Sequence, residues 1–265
     1  MSTSKPVLFA SDVHLCVSRP DVSQRFLDFL NGPAMQASQL WLLGDLFEYW
    51  PGDDSLDQPL HRDVIQALRQ LHVAGVACHF IAGNRDFLIG EAFCRTSACQ
   101  WVSEPHVIEL GGKRTLLMHG DLLCTDDTAY QAFRQQVRGA DWQNKFLSQP
   151  LAQRIEQIEA LRRQSESAKQ TKMADIMDVN TEAVLQALQQ HGCTRLIHGH
   201  THRPAVHYLQ LGNKTAERWV LPAWDLAASD SENPAKIGSG NWQHGGYLAC
   251  LPNHCGTDQM RWYAV

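Results

Sequence analysis

Ile197-His198-Gly199-His200-Thr201-His202-Arg203-Pro204 places three histidines at alternate positions, directly behind the apolar pair Leu196-Ile197. If a strand ends there, alternate residues point to one side, and His200 and His202 can offer imidazoles to a single site. Imidazole nitrogens and carboxylate oxygens together suit divalent first-row metals. A polar loop with a few exposed histidines accounts for the same letters. The decision therefore rests on whether the rest of the chain supplies matching ligands.

It supplies them at the ends of four further apolar runs. Val7-Leu8-Phe9-Ala10 reads as a buried strand and leads into Ser11-Asp12-Val13-His14, with Asp12 and His14 two apart. Leu40-Trp41-Leu42-Leu43 ends in Gly44-Asp45, where the glycine permits close backbone approach. The run 76–82 ends in Gly83-Asn84-Arg85-Asp86. There Asn84 can give a metal its carbonyl oxygen, and Arg85 has the charge and shape for phosphate oxygens. A glycine-turned hairpin over 107–118 leads into His119-Gly120-Asp121. Polar ligands beyond the carboxyl ends of successive strands are where open α/β sheets bind.

The connecting segments read as helices where apolar residues recur at threes and fours. One carries Phe26, Leu27, Phe29 and Leu30 and stops at Asn31-Gly32-Pro33; another spans 59–74 with Leu60, Val64, Leu68 and Leu71 on one face. Residues 125–177 change character. Phe133, Val137, Phe146, Leu147, Leu151, Ile155, Ile158 and Leu161 predict helices, interleaved with Arg154, Arg162, Arg163, Lys169 and Lys172. This segment is either an ordinary helical excursion or a cap whose apolar face meets acyl chains or a membrane surface. A core-facing helix over 178–190 and a strand over 194–197 follow. Beyond Pro204 the pattern predicts strands at 207–211, 218–221, 247–251 and 260–263, with a mobile loop over 229–246.

Composition narrows the class. The 265 residues suffice for a sizeable core, and 44% hydrophobic with 19% charged residues is ordinary for a soluble globular protein. A net charge of −5 argues against a nucleic-acid partner, which favours a basic excess. The eight cysteines form no C-x-x-C pair, and no secretory pattern opens the chain, so reduced cytoplasmic thiols are expected. No apolar run approaches the roughly 18 residues that span a bilayer. Neither a G-x-G-x-x-G nor a P-loop is present, which leaves nucleotide binding by those routes unsupported.

Collected, Asp12, His14, Asp45, Asn84, His119, His200 and His202 number about what two metals sharing one carboxylate need, ~3.5–4 Å apart across a phosphoryl group. D-x-H, G-D, G-N-x-D, H-G-D and G-H-T-H, in that order over 7–204, resemble the calcineurin-like metallophosphoesterases. The fuller wording is similar to the UDP-2,3-diacylglucosamine diphosphatase family: Asp12-Val13-His14-Leu15-Cys16, Gly44-Asp45-Leu46-Phe47-Glu48, Gly83-Asn84-Arg85-Asp86-Phe87, the run 119–127, Ile176-Met177-Asp178-Val179-Asn180 and the run 198–204.

That resemblance implies an α/β fold, a four-layer α/β/β/α sandwich forming one domain over 1–265 with an inserted helical cap over 125–177. It implies pyrophosphate hydrolysis in lipid A biosynthesis by a water activated at two Mn2+. Asp12, His14, Asp45 and His202 would hold one ion, and Asp45, Asn84, His119 and His200 the other. His198 would stay outside. Asp45, Asn84, Arg85 and His119 would be the catalytic set. Asp127, Ser165, Lys169 and Lys172 would meet the substrate from the cap; Asn84, Arg85 and His200 would meet it from the core. The partners implied are the lipid-linked UDP-sugar and, peripherally, the cytoplasmic face of the inner membrane, with a monomer favoured. Most metallophosphoesterases carry His where this chain has Arg85, so charge stabilisation replaces proton donation there. The diphosphatase family shares that arginine, while the tail beyond Ala223 is longer than its pattern.

Two other readings remain. A soluble metal-dependent phosphodiesterase or phosphatase acting on nucleotides would carry the same core motifs but has no reason for an amphipathic 125–177. A non-catalytic scaffold would be expected to have lost ligands, and all seven are present.

Overall fold

A computed structural model describes residues 5–169, 178–224, 245–252 and 259–265, with the side chains of 164–169 outside the description. The expected mobile loop falls outside it from 229 to 244, but Gly246 does not, because it already belongs to a strand.

Two sheets stack face to face. The first has the order β11-β10-β1-β2-β3-β4, from β1 (Val7–Ala10), β2 (Gln39–Leu43), β3 (Ala77–Ile81), β4 (Gln100–Trp101), β10 (Gly246–Leu251) and β11 (Gln259–Ala264). Its strands β1 to β4 run parallel; β10 and β11 join antiparallel, with Leu8 opposite Ala249. The second has the order β5-β6-β7-β9-β8, from β5 (His106–Leu110), β6 (Lys113–Leu117), β7 (Arg195–His198), β8 (Ala205–Leu211) and β9 (Lys214–Val220). There β6, β7 and β9 are parallel, flanked by antiparallel edges.

The period-2 alternation of the strands builds the layers. Phe9, Trp41, Leu43 and Ile81 point inward and meet Leu117, Ile197 and Leu221 of the second sheet. Their neighbours Leu8, Ala10, Leu40, Leu42 and Phe80 point outward onto α1 (Pro20–Asn31), α2 (Pro59–Val73) and α3 (Glu91–Ser97), where Phe26, Phe29, Leu68 and Phe93 complete the layer. On the far face, Leu116, Leu196 and Ala216 pack against Val184 and Leu188 of α7 (Thr181–Gln190), which Asn180 caps by accepting from the Glu182 and Ala183 amides. This is the four-layer α/β/β/α sandwich. Its 245–252 and 259–265 segments complete the first sheet beside β1. The seven described cysteines are free thiols.

Between β6 and α7 lie α4 (Thr128–Val137), α5 (Ala140–Leu147) and α6 (Leu151–Lys169). Arg154 corrects the reading of this segment's charges. It is 2% exposed and serves as a buried clamp, its guanidinium donating to Pro51 O and pairing with Asp54. It therefore pins α6 to the 51–54 turn instead of facing a membrane.

Candidate metal centre

The parallel strands of both sheets end on one side of the sandwich, and every ligand-type residue lies just past such an end. Asp12 and His14 follow β1, Asp45 follows β2, Asn84 and Arg85 follow β3, His119 follows β6, and His200 and His202 follow β7. Strand alternation, the basis of the sequence argument, is not what aligns them. β7 stops at His198, and Asp12, His14, Asp45, His200 and His202 all have left-handed backbones, with φ of 54°, 54°, 53°, 68° and 56°. Among the described residues, Ala98 is the one other non-glycine of this kind. Such conformations are unfavourable for residues with a Cβ and persist where the surroundings hold them. Hydrogen bonds do so here: the Asp12 amide donates to Gly44 O and the His14 amide to Asp45 O, both at 3.0 Å. The flanking glycines are required by contact, since a Cβ on Gly83 would strike the Asp45 carboxylate and one on Gly199 the Asp12 carboxylate.

The side chains converge in two sets. His14 Nε2 and His202 Nε2 face each other at 3.2 Å, with Asp12 Oδ1 3.3 Å from the latter and Asp45 Oδ2 3.8 Å from the former. In the second set, Asn84 Oδ1 lies 3.0 Å from His119 Nε2 and 2.9 Å from His200 Nδ1, and Asp45 Oδ1 is 3.7 Å from His119 Nε2. Asp45 thus turns one oxygen toward each. His198 belongs to neither. It is fully buried, its Nδ1 is 2.8 Å from Gly199 O, and burial pushes its pKa down to about 3.

The donor set fits divalent cations. His119 Nδ1 sits 2.9 Å from Leu43 O, which can only accept, so the neutral ring keeps its lone pair on Nε2. With the ring neutral, that lone pair faces the Asn84 carbonyl oxygen, so a cation can take the place of the proton that otherwise lies between the two acceptors. A hydrogen bond on the far ring nitrogen is the usual way to orient a ligating histidine.

Further residues, none of them assigned a role from the sequence, hold these groups. Buried Asp86 accepts from the Gly83 amide at 2.9 Å and the Leu46 amide at 2.7 Å, joining the loops after β2 and β3. Glu104 Oε2 accepts from the His119 amide at 2.8 Å. Arg134 of α4 bridges Glu104 and the fully buried Asp121, and Tyr130 donates to Asp121 at 2.6 Å. Asp86 and Asp121 sat inside quoted motifs; nothing in the sequence marked Glu104.

A cavity of about 420 Å³ opens beside the centre. Asn84 and Arg85 are part of its lining, and Trp50, Phe87, Phe133, Val137, Trp142 and Leu161 give it apolar walls. Of the residues expected to reach substrate from the cap, Asp127 is the N-cap of α4, accepting from the Tyr130 amide at 3.1 Å. The side chains of Ser165 and Lys169 and the whole of Lys172 lie outside the described residues.

Electrostatics make the centre avid for cations. Burial raises the pKa of Asp45, with Asp86 and Asp12 adding repulsion. Burial opposes charge on His119, but the Asp45, Asp121, Asp12 and Glu104 carboxylates outweigh it and raise its pKa to about 9. A cation must therefore displace a proton that the bare chain holds on His119 at neutral pH. Affinity for a divalent ion should rise from pH 6 to pH 9 and level above it. Calorimetric titration at pH 7.5 in buffers of different ionisation enthalpy should show net proton release; none released would contradict this charge state.

A two-sheet sandwich with Asp, His and Asn side chains gathered at facing strand ends as candidate metal ligands is the pattern of a metallophosphoesterase. The profile for calcineurin-like phosphoesterase matches residues 5–204, and the chain belongs to that family. Within it, the chain is 51% identical over 217 residues to the UDP-2,3-diacylglucosamine hydrolase of Aromatoleum aromaticum, covering 82% of this chain and 88% of that protein. It is 48% identical over 222 residues to the proteins of the same name from Serratia proteamaculans and Escherichia coli O81, covering 84% of this chain and 92% of each.

Proposed function

We propose that this chain hydrolyses the pyrophosphate bond of UDP-2,3-diacylglucosamine to UMP and 2,3-diacylglucosamine 1-phosphate, in lipid A biosynthesis, at a centre of two Mn2+. The observation that carries the reading is the largely apolar cavity whose lining includes Asn84 and Arg85. A pyrophosphate tethered to acyl chains needs a cation site opening onto an apolar space. A water-soluble nucleotide has nothing to fill it.

Asp12, His14, Asp45 and His202 would hold one Mn2+, and Asp45, Asn84, His119 and His200 the other. When bound, the ions supply an activated water and neutralise charge on the phosphoryl oxygens. Asp45 sets the spacing of the two sites by turning one oxygen to each. Arg85, anchored by its backbone amide on Asp45 Oδ1 at 2.8 Å, places permanent positive charge where the phosphoryl oxygens gain negative charge. The product set puts attack on the uridine-side phosphate. Asn84, Arg85 and His200 contact the substrate from the core, and Asp127, Ser165, Lys169 and Lys172 from α4, α6 and beyond.

The helices α4 to α6 act as the cap within one domain, and the chain works peripherally on the cytoplasmic face of the inner membrane. Support comes from Phe133, Leu147 and Leu161, each 40% or more exposed on those helices. Among the described residues no helix is long and apolar enough to cross a membrane. The test compares hydrolysis of UDP-2,3-diacylglucosamine with that of a soluble phosphodiester under Mn2+, detecting UMP, alongside flotation with anionic liposomes. Equal or faster turnover of the soluble ester would overturn the lipid assignment.

A further inference from the structure

Glu48 follows Asp45 by three residues, and the proposed hydrolysis gives it no task. Its carboxylate, 15% exposed, is the meeting point of three separate parts of the molecule. Oε2 lies 3.4 Å from His14 Nδ1, behind β1. Oε1 lies 3.5 Å from an Arg85 guanidinium nitrogen, behind β3, and 2.8 Å from one of Arg162, on α6. The backbone beneath it is fixed, because the Glu48 amide donates to Leu15 O at 3.0 Å.

His14 Nδ1 is buried and has no hydrogen-bond partner among the described residues, while Nε2 of the same ring faces His202 and Asp45. A ring that ligates through Nε2 carries its proton on Nδ1, and a buried N–H needs an acceptor. The Glu48 carboxylate is beside it, and a small carboxylate rotation turns the 3.4 Å approach into a hydrogen bond. Arg85 and Arg162 both line the apolar cavity, and one shared anion offsets the repulsion between their charges.

We infer that Glu48 is a positioning residue: it orients His14 so that Nε2 faces the first ligand set, and with the same carboxylate it holds Arg85 and Arg162 at the cavity wall. This rests on reading Asp12, His14, Asp45 and His202 as a cation site. Outer partners of ligating histidines are typically worth 10–100-fold in metal affinity.

The test titrates Mn2+ into the metal-stripped full-length chain by calorimetry, without substrate, for the wild type, Glu48→Ala, Glu48→Gln and Arg162→Gln. In Glu48→Ala one of the two binding steps should weaken by about 10–100-fold while the other is retained. Glu48→Gln should fall between, since its amide oxygen still accepts from Nδ1–H. Arg162→Gln, which leaves the His14 contact intact, should bind as the wild type does. Wild-type binding by both Glu48 variants, equal weakening of both steps, or the same loss in Arg162→Gln would each overturn the inference. If Glu48→Ala does not fold, as judged by circular dichroism, the isosteric Glu48→Gln decides on the same criteria. Lipid hydrolysis is no part of the readout, so failure of the substrate assignment would leave this result standing.

Discussion

Asp45→Ala should bind neither cation and hydrolyse nothing measurable. Its two oxygens divide between the ligand sets, Oδ2 toward His14 and Oδ1 toward His119, and Oδ1 also receives the Arg85 amide. One substitution therefore removes a ligand from both proposed ions and loosens the loop that presents Arg85. Charge stabilisation by such ions is worth several kcal/mol, which corresponds to at least about a thousandfold in rate. Alanine also tolerates the left-handed backbone at this position poorly, at a cost of roughly 1–2 kcal/mol. Asp45→Asn separates the two effects, because Asn enters that region more readily and keeps the shape while losing the charge. Metal content by mass spectrometry of the purified proteins, paired with UMP release, gives the answer. An active Asp45→Ala protein would end the two-metal reading. Arg85→Ala is the contrast: its amide still anchors on Asp45, so both ions stay while turnover falls by about 10²–10³.

The strands were legible because their apolar runs are short and closed by turn-type or polar residues, glycine in most cases. The candidate ligands were legible because Asp12, Asp45, Asn84, His119 and His200 each stand within three residues of such a run. What aligns them was not legible. Alternation suggested that His200 and His202 share a strand face, whereas the strand ends at His198 and both histidines reach the centre through left-handed backbones. Spacing in sequence cannot distinguish these, since both put residues i and i+2 on one side. The pairing of β10 with β1 was equally hidden, as it joins residues more than 200 apart in the chain. Arg154 misled for a related reason. A long cation on a helix is normally solvated, and only its approach to Pro51 and Asp54 makes it a buried clamp. Glu48, Glu104 and Arg134 likewise acquire their roles from partners that the fold, and not the local pattern, brings to them.

Arg134→Ala is expected to cost about 3–5 kcal/mol of stability, the usual penalty for leaving a buried ion pair half-complete. Arg134 is the cation between two carboxylates: Nε is 2.7 Å from Asp121, which is fully buried, and a terminal nitrogen is 2.8 Å from Glu104. Truncation would leave Asp121 with the Tyr130 hydroxyl and the more distant Arg138 at 3.9 Å, and Glu104 with the His119 amide, both short of their direct counter-charge. The loss should depend on pH, with a definite sign. Burial raises the pKa of Asp121, but His119, Arg134, His200 and the Tyr130 hydrogen bond outweigh it and hold it well below the ordinary value of 3.8. A depressed carboxylate stabilises the folded state above that ordinary value, and the contribution disappears as pH falls through the folded one. Removing Arg134 raises the folded pKa of Asp121 and pushes that of Glu104, already raised by burial, further up. Glu104 then takes up a proton in mild acid, which relieves part of the stranded charge. Urea melts of both proteins in chelator should therefore show the largest difference near pH 7.5 and a smaller one at pH 5. A difference that grew toward acid would mean that Arg134 acts through packing of α4 rather than through charge. Because Glu104 also anchors the His119 amide, Arg134→Ala should bind divalent cations more weakly even at temperatures where it remains folded.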